Sequence, residues 1–298
     1  MSDETAARPK RFAIRGLFVP FASLAALFIA WRLGLKWLMP PIVAFLAVYY
    51  FVLPRLVRAR EARFQKQALR LLAAGKAAAV PELARRQILL QLFGSSGPID
   101  AVLGLAYAQN ERWASAASHL EPAMFAATGS DRAMLSANLT KALFATGDLG
   151  RAKDTGMGLI ETGLKLPETL ALVARAFVGL GMVNDLVTSL LEEAESLSPS
   201  EDVRTMIELT RIEACLATGR RVPPLDENAD SGQRFVRAWI HFVRGRLREH
   251  RGDLDAAAAS YGKAEREAGE DVPLFSSLAH ARLGVLAGGG TAAERRIH

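Results

Sequence analysis

The chain has 298 residues, half of them hydrophobic, with one cysteine and a formal net charge of +6. A single cysteine excludes an intramolecular disulfide. The basic charge excludes a nucleic-acid surface once its position is read: residues 1–66 hold 11 Lys/Arg and 3 Asp/Glu, a net of +8, while the remainder holds 26 and 28, a net of −2.

Two uncharged apolar runs, Gly16–Trp31 and Trp37–Pro54, follow a basic tail of residues 1–12 and are joined only by Arg32-Leu33-Gly34-Leu35-Lys36. Crossing a bilayer takes about 20 apolar residues, with a lower range near 17. The second run has 18 and the first has 16, so the first spans only if Arg15 and Arg32 snorkel toward the headgroups. Pro20, Pro40 and Pro41 fit helix starts or kinks, and Trp31, Trp37, Tyr49 and Tyr50 suit membrane interfaces. A cleaved signal peptide would also show a basic start and an apolar core, but no small-x-small site precedes Trp31-Arg32 and a second run follows at once.

Residues 13–57 are therefore expected to form a two-helix transmembrane hairpin. Arg8, Lys10, Arg11 and Arg15 precede it, and Arg55, Arg58, Arg60, Arg63 and Lys66 follow it, against Arg32 and Lys36 in the turn. The positive-inside rule then places the N-terminus and everything after the hairpin in the cytoplasm, at an inner membrane. Arg55, Arg58, Arg60 and Arg63 form a lipid-proximal basic cluster, read first as a topology signal.

Beyond the hairpin the apolar residues keep helical spacing and alternating β-type runs are absent, which predicts an all-α region over residues 58–273. It repeats itself. Leu103-Gly104-Leu105-Ala106-Tyr107, Trp113, Ala116, Leu120 and Ala123 echo Gly245, Gly252-Asp253-Leu254, Ala257, Tyr261 and Ala264. Gly147-Asp148-Leu149 precedes Ala152 at the offset that separates Gly252 from Ala257. Turn positions at Gly75, Glu111, Gly147, Gly181, Gly219 and Gly252 step by 36, 36, 34, 38 and 33 residues.

With these residues the chain resembles the tetratricopeptide repeat family, a solenoid of antiparallel helix pairs with a 34-residue period. The likeness covers roughly residues 60–270 and departs from the family pattern at three places. Glu111 replaces the turn glycine, Gly156 takes a large residue's place, and Arg220-Arg221-Val222-Pro223-Pro224 interrupts a helix ahead of a loop through Asp230-Ser231-Gly232. The resemblance implies stacked pairs with a concave groove for protein or peptide partners. Projecting its groove-lining position onto this chain gives Leu105, Lys141, Arg175, Glu213 and Arg246, whose three cations would receive an acidic or C-terminal carboxylate. Residues 274–298 read as a capping helix over Leu274–Leu286 and a tail released by Gly288-Gly289-Gly290.

Catalytic and cofactor chemistry finds little support. His119, His241, His250, His280 and His298 lack metal-ligand spacing, no HExxH or paired CxxC occurs, and Cys215 is expected in the core. Gly156-Met157-Gly158 follows no strand, and Gly288-Gly289-Gly290 lacks the Lys-Ser/Thr of a phosphate loop. No GxSxG is present. The expectation is a non-enzymatic, membrane-anchored adaptor without cofactor or metal. The alternatives are a structural or assembly subunit of a larger membrane complex and an enzyme whose site lies between Val222 and Gln233.

Overall fold

The computed structural model describes residues 22, 25, 26, 28, 29, 31–34, 37, 39–87, 90, 93–226 and 229–288. Among the described residues every regular element is helical and no strand occurs, as the all-α expectation requires. Most of the first apolar run lies outside them, as do residues 1–12 and 289–298. The chain forms two compact bodies, one of residues 1–70 and 82–95, the other of residues 71–81 and 96–298.

The first body is dominated by residues 39–70 of a long helix, α1 (Met39–Ala73). Pro40 and Pro41 fall in its first turn, where a missing N–H removes no intrahelical bond. Pro54 lies deeper and cannot donate to the carbonyl four residues back, which its ring also crowds. The helix accommodates it with a π turn over Val48–Val52, in which the Leu53 N–H bonds to the Val48 carbonyl. An 18-residue window of α1 has a mean hydropathy of 1.7 and is 6% buried, so this helix is long and apolar enough to cross a membrane. Among the described residues it is one of one such helix.

From Val57 onward α1 becomes amphipathic. Val57, Phe64 and Ala68 recur at helical spacing and are buried, while Arg55, Arg58, Arg60 and Arg63 remain exposed. Ser95 donates both its backbone N–H and its hydroxyl to Glu61 Oε1, the hydroxyl at 3.0 Å, and so ties the two segments of this body together. A short helix, α2 (Ala79–Arg85), follows.

The second body contains α3 (Ser96–Gln109), α4 (Trp113–Ala126), α5 (Gly129–Thr146), α6 (Leu149–Glu161), α7 (Pro167–Gly179), α8 (Asp185–Ser196), α9 (Glu201–Thr218), α10 (Arg234–His250), α11 (Leu254–Ala268) and α12 (Pro273–Ala287). Each packs against its successor. The repeated Gly-Asp-Leu triplet has a local cause. Gly147 and Gly252 end their helices at φ of 90° and 84°, which favours a residue without Cβ. Asp148 and Asp253 then cap the next helices by accepting from Arg151 N–H and Ala256 N–H, each at 3.2 Å. The other turn positions are also left-handed, including Glu111 at φ 54°, a conformation a β-carbon makes costly by about 1 kcal/mol.

Small residues set helix separation. A β-carbon at Gly104 would stand 2.7 Å from Leu120 Cγ, and one at Gly245 would stand 2.5 Å from Tyr261 Cε1. At Gly156, where the repeat pattern calls for a large residue, Val173 of α7 fills the space, 2.3 Å from where a β-carbon would lie.

The centre of this body is aromatic. Phe144, Phe235, Trp239 and Phe275 are fully buried, with ring centroids 5.7–6.3 Å apart, and Trp113 joins them edge-on to Phe235 at 6.1 Å. Phe275 comes from α12, which packs against α5 far back in the chain. The segment expected as a solvating cap therefore drives its apolar side into the core. The last helix thus packs on one near the middle of the chain as well as on its sequence neighbour.

Candidate binding site beside Trp113 and Lys141

Lys141, Arg175, Glu213 and Arg246 do not form one open ribbon. Arg175 and Glu213 are 3% and 8% exposed and pair with each other. Arg175 Nε and Nη2 donate to Glu213 Oε2 and Oε1 at 2.5 and 2.7 Å, and the Trp239 indole N–H donates to Glu213 Oε2 at 2.8 Å. The guanidinium also lies 5.9 Å from the Trp239 ring centroid. Opposite charges on α7 and α9 have closed on each other, so the expectation that these two residues meet a partner is corrected. Arg246 is half-buried, near a second interior group in which the Tyr261 hydroxyl donates to Glu249 Oε2 at 2.6 Å and Arg282 Nη1 donates to Glu249 Oε1 at 3.3 Å. Burial raises the pKa of the Tyr261 phenol, with the Glu249 hydrogen bond adding to the shift. Burial lowers that of the Arg282 guanidinium, and Arg246 acts in the same direction.

Lys141 has a different setting. It borders a cavity of about 350 Å³ whose polar wall is Gln109, Glu111, Trp113, Asn138, Lys141 and Gln233. Leu72, Leu105 and Ala108 supply the apolar wall. Lys141 Nζ donates to Glu168 Oε1 at 2.6 Å and to Gln233 Oε1 at 2.9 Å, and stands 5.5 Å from the Trp113 ring centroid. Glu111 Oε1 accepts from the Arg234 backbone N–H at 3.1 Å, at the first residue of α10, where the helix dipole favours a negative charge.

Two of these residues each carry a buried polar atom without a match. Glu111 Oε2 and the Trp113 indole Nε1 are buried without a hydrogen-bond partner among the described residues. Leaving such a group unsatisfied costs about 1–3 kcal/mol. Glu111 pays in addition for its left-handed backbone. Buried unmet groups and strain of this kind collect at functional sites. Glu111, Trp113 and Gln233 were not among the groove positions expected from sequence. The available signal was Glu111 itself, standing where the neighbouring turns carry glycine.

A second cavity of about 380 Å³ lies against the loop after α9, bordered by Arg220, Arg221, Val222, Pro223, His250 and Arg251. Among the described residues no buried polar atom without a partner borders it. Among the described residues no cluster of His, Cys, Asp or Glu could hold a metal. Cys215, expected in the core, is half-buried in the last turn of α9.

Comparison with protein-family models, with curated proteins and with solved structures finds no match.

Proposed function

We propose that the protein is a membrane-anchored, non-catalytic scaffold of tetratricopeptide-like helix pairs that holds a protein partner close to the bilayer. The observation that carries this reading is α1, whose apolar half is left uncovered while its continuation is amphipathic and basic. Gly16–Trp31 would supply a second span, and Arg55, Arg58, Arg60 and Arg63, each contributing about 1 kcal/mol near an anionic surface, would set the cytoplasmic side. Tethering raises a partner's effective concentration at the membrane without requiring a catalytic group. The cavity beside Trp113 and Lys141 supports the partner-binding half, replacing the continuous cationic ribbon.

A photo-crosslinking residue at Asn138, on the cavity wall, is expected to capture one discrete protein in intact cells. The same residue at Glu192, exposed on α8, is expected to leave that protein uncaptured. Identical adducts from both positions, or none from Asn138, would remove the partner-binding reading.

A further inference from the structure

The cavity of about 380 Å³ at the loop after α9 is lined by charge of one sign. Arg220 and Arg221 border it from the loop, His250 and Arg251 border it from the end of α10, and no carboxylate is among its lining residues. Among the described residues nothing pairs with the side chain of Arg220, Arg221 or Arg251. Val222 of the same loop packs against the core, and buried Leu247 also lines the cavity, so the cations stand on anchored backbone. Pro223 and Pro224 restrict the chain just beyond them.

Cations in such places commonly complete helix C-termini, and α9 and α10 both end here. Two observations leave them with charge to spare. The backbone N–H groups of Arg220, Arg251 and Asp253 already donate to the carbonyls of Cys215, Leu247 and Arg248, at 3.0, 3.1 and 3.0 Å. Each helix end also carries only about half a negative charge, so the three guanidiniums leave about two positive charges unanswered, the imidazole being counted as neutral. Residues 67–298 as a whole are close to neutral, so this excess is local to the cavity.

We propose that this cavity binds a phosphate group in its doubly charged form, answered by the guanidiniums of Arg220, Arg221 and Arg251 with His250 beside them. The charge selects the class. A lone carboxylate answers half of the excess, and a cation or a neutral group answers none of it. A planar guanidinium also matches two phosphate oxygens at once. The phosphate is that of a lipid headgroup or of a small soluble ester, one chemistry from two sources. This inference stands apart from the scaffold reading, since it uses neither the cavity beside Trp113 nor a protein partner.

The test uses the full chain in dodecyl maltoside, a detergent without phosphate, with isotope-labelled histidine and the His250 ring resonances assigned by His250→Gln. At constant pH and ionic strength, inorganic phosphate is expected to shift them saturably. Acetate is expected to bind about fivefold more weakly, the worth of one unit charge in water. Arg220→Gln and Arg251→Gln remove exposed side chains and should each weaken phosphate by about the same factor. Arg132→Gln, exposed on α5, should leave it unchanged. Nanodiscs then separate the sources. For a headgroup phosphate, discs containing phosphatidic acid already hold the resonances at the phosphate-bound position, and discs of phosphatidylcholine alone do not. For a soluble ester, both discs respond equally to added phosphate. The proposal is overturned if phosphate gives no saturable shift, if acetate binds equally well, or if Arg132→Gln weakens binding as much as Arg220→Gln. It is also overturned if succinate, a dicarboxylate of equal charge, binds more tightly than phosphate, which would assign the patch to an acidic polypeptide.

Discussion

Arg175 and Glu213 leave water together, and the consequence of breaking the pair depends on how it is broken. Glu213→Ala strands a buried guanidinium and the Trp239 N–H, and should cost about 3–5 kcal/mol in urea unfolding of the detergent-solubilised protein. The double change Arg175→Met with Glu213→Leu should cost much less, because no charge remains buried. His241 acts through pH. Burial, reinforced by Arg244, lowers its pKa from the ordinary 6.5. As pH falls through 6.5 the unfolded chain takes up the proton before the folded one does, so stability is lost below that value. His241→Gln should flatten this loss between neutrality and the lowered folded pKa, as read by melting temperature against pH.

Turns and helix contacts show what a sequence can reveal at the next scale. All six turn positions spaced at 33–38 residues adopt positive φ, so the period was legible because backbone geometry at a helix end is a local property. Gly147→Ala should cost about 1 kcal/mol, measured by chemical denaturation, for the same reason. Gly245→Ala should cost more, since Tyr261 is fully buried and its ring has nowhere to retreat. The pairing of Arg175 with Glu213 was not legible. Their separation of 38 residues fixes neither side chain's direction, and the repeat pattern alone cannot tell a stripe facing a partner from one facing the next helix. Trp113 was legible as a repeat residue but not as an unmet donor, because its ring is covered by Phe235 of α10, more than a hundred residues later.

For the whole molecule, the anchored reading predicts that the protein stays with membranes after alkaline carbonate extraction. With Cys215 replaced by Ser and a cysteine placed at Glu192, a membrane-impermeant maleimide should label the chain only after the inner membrane is opened. Labelling of intact cells stripped of their outer envelope would reverse the assigned side. The packing of α12 on α5 has a kinetic consequence. An open chain of stacked pairs can melt inward from either end and can mature as it leaves the ribosome. Here Phe144 waits for Phe275, so the aromatic centre of this body stays immature until Phe275 has been synthesised, and afterwards it should come apart in one cooperative step.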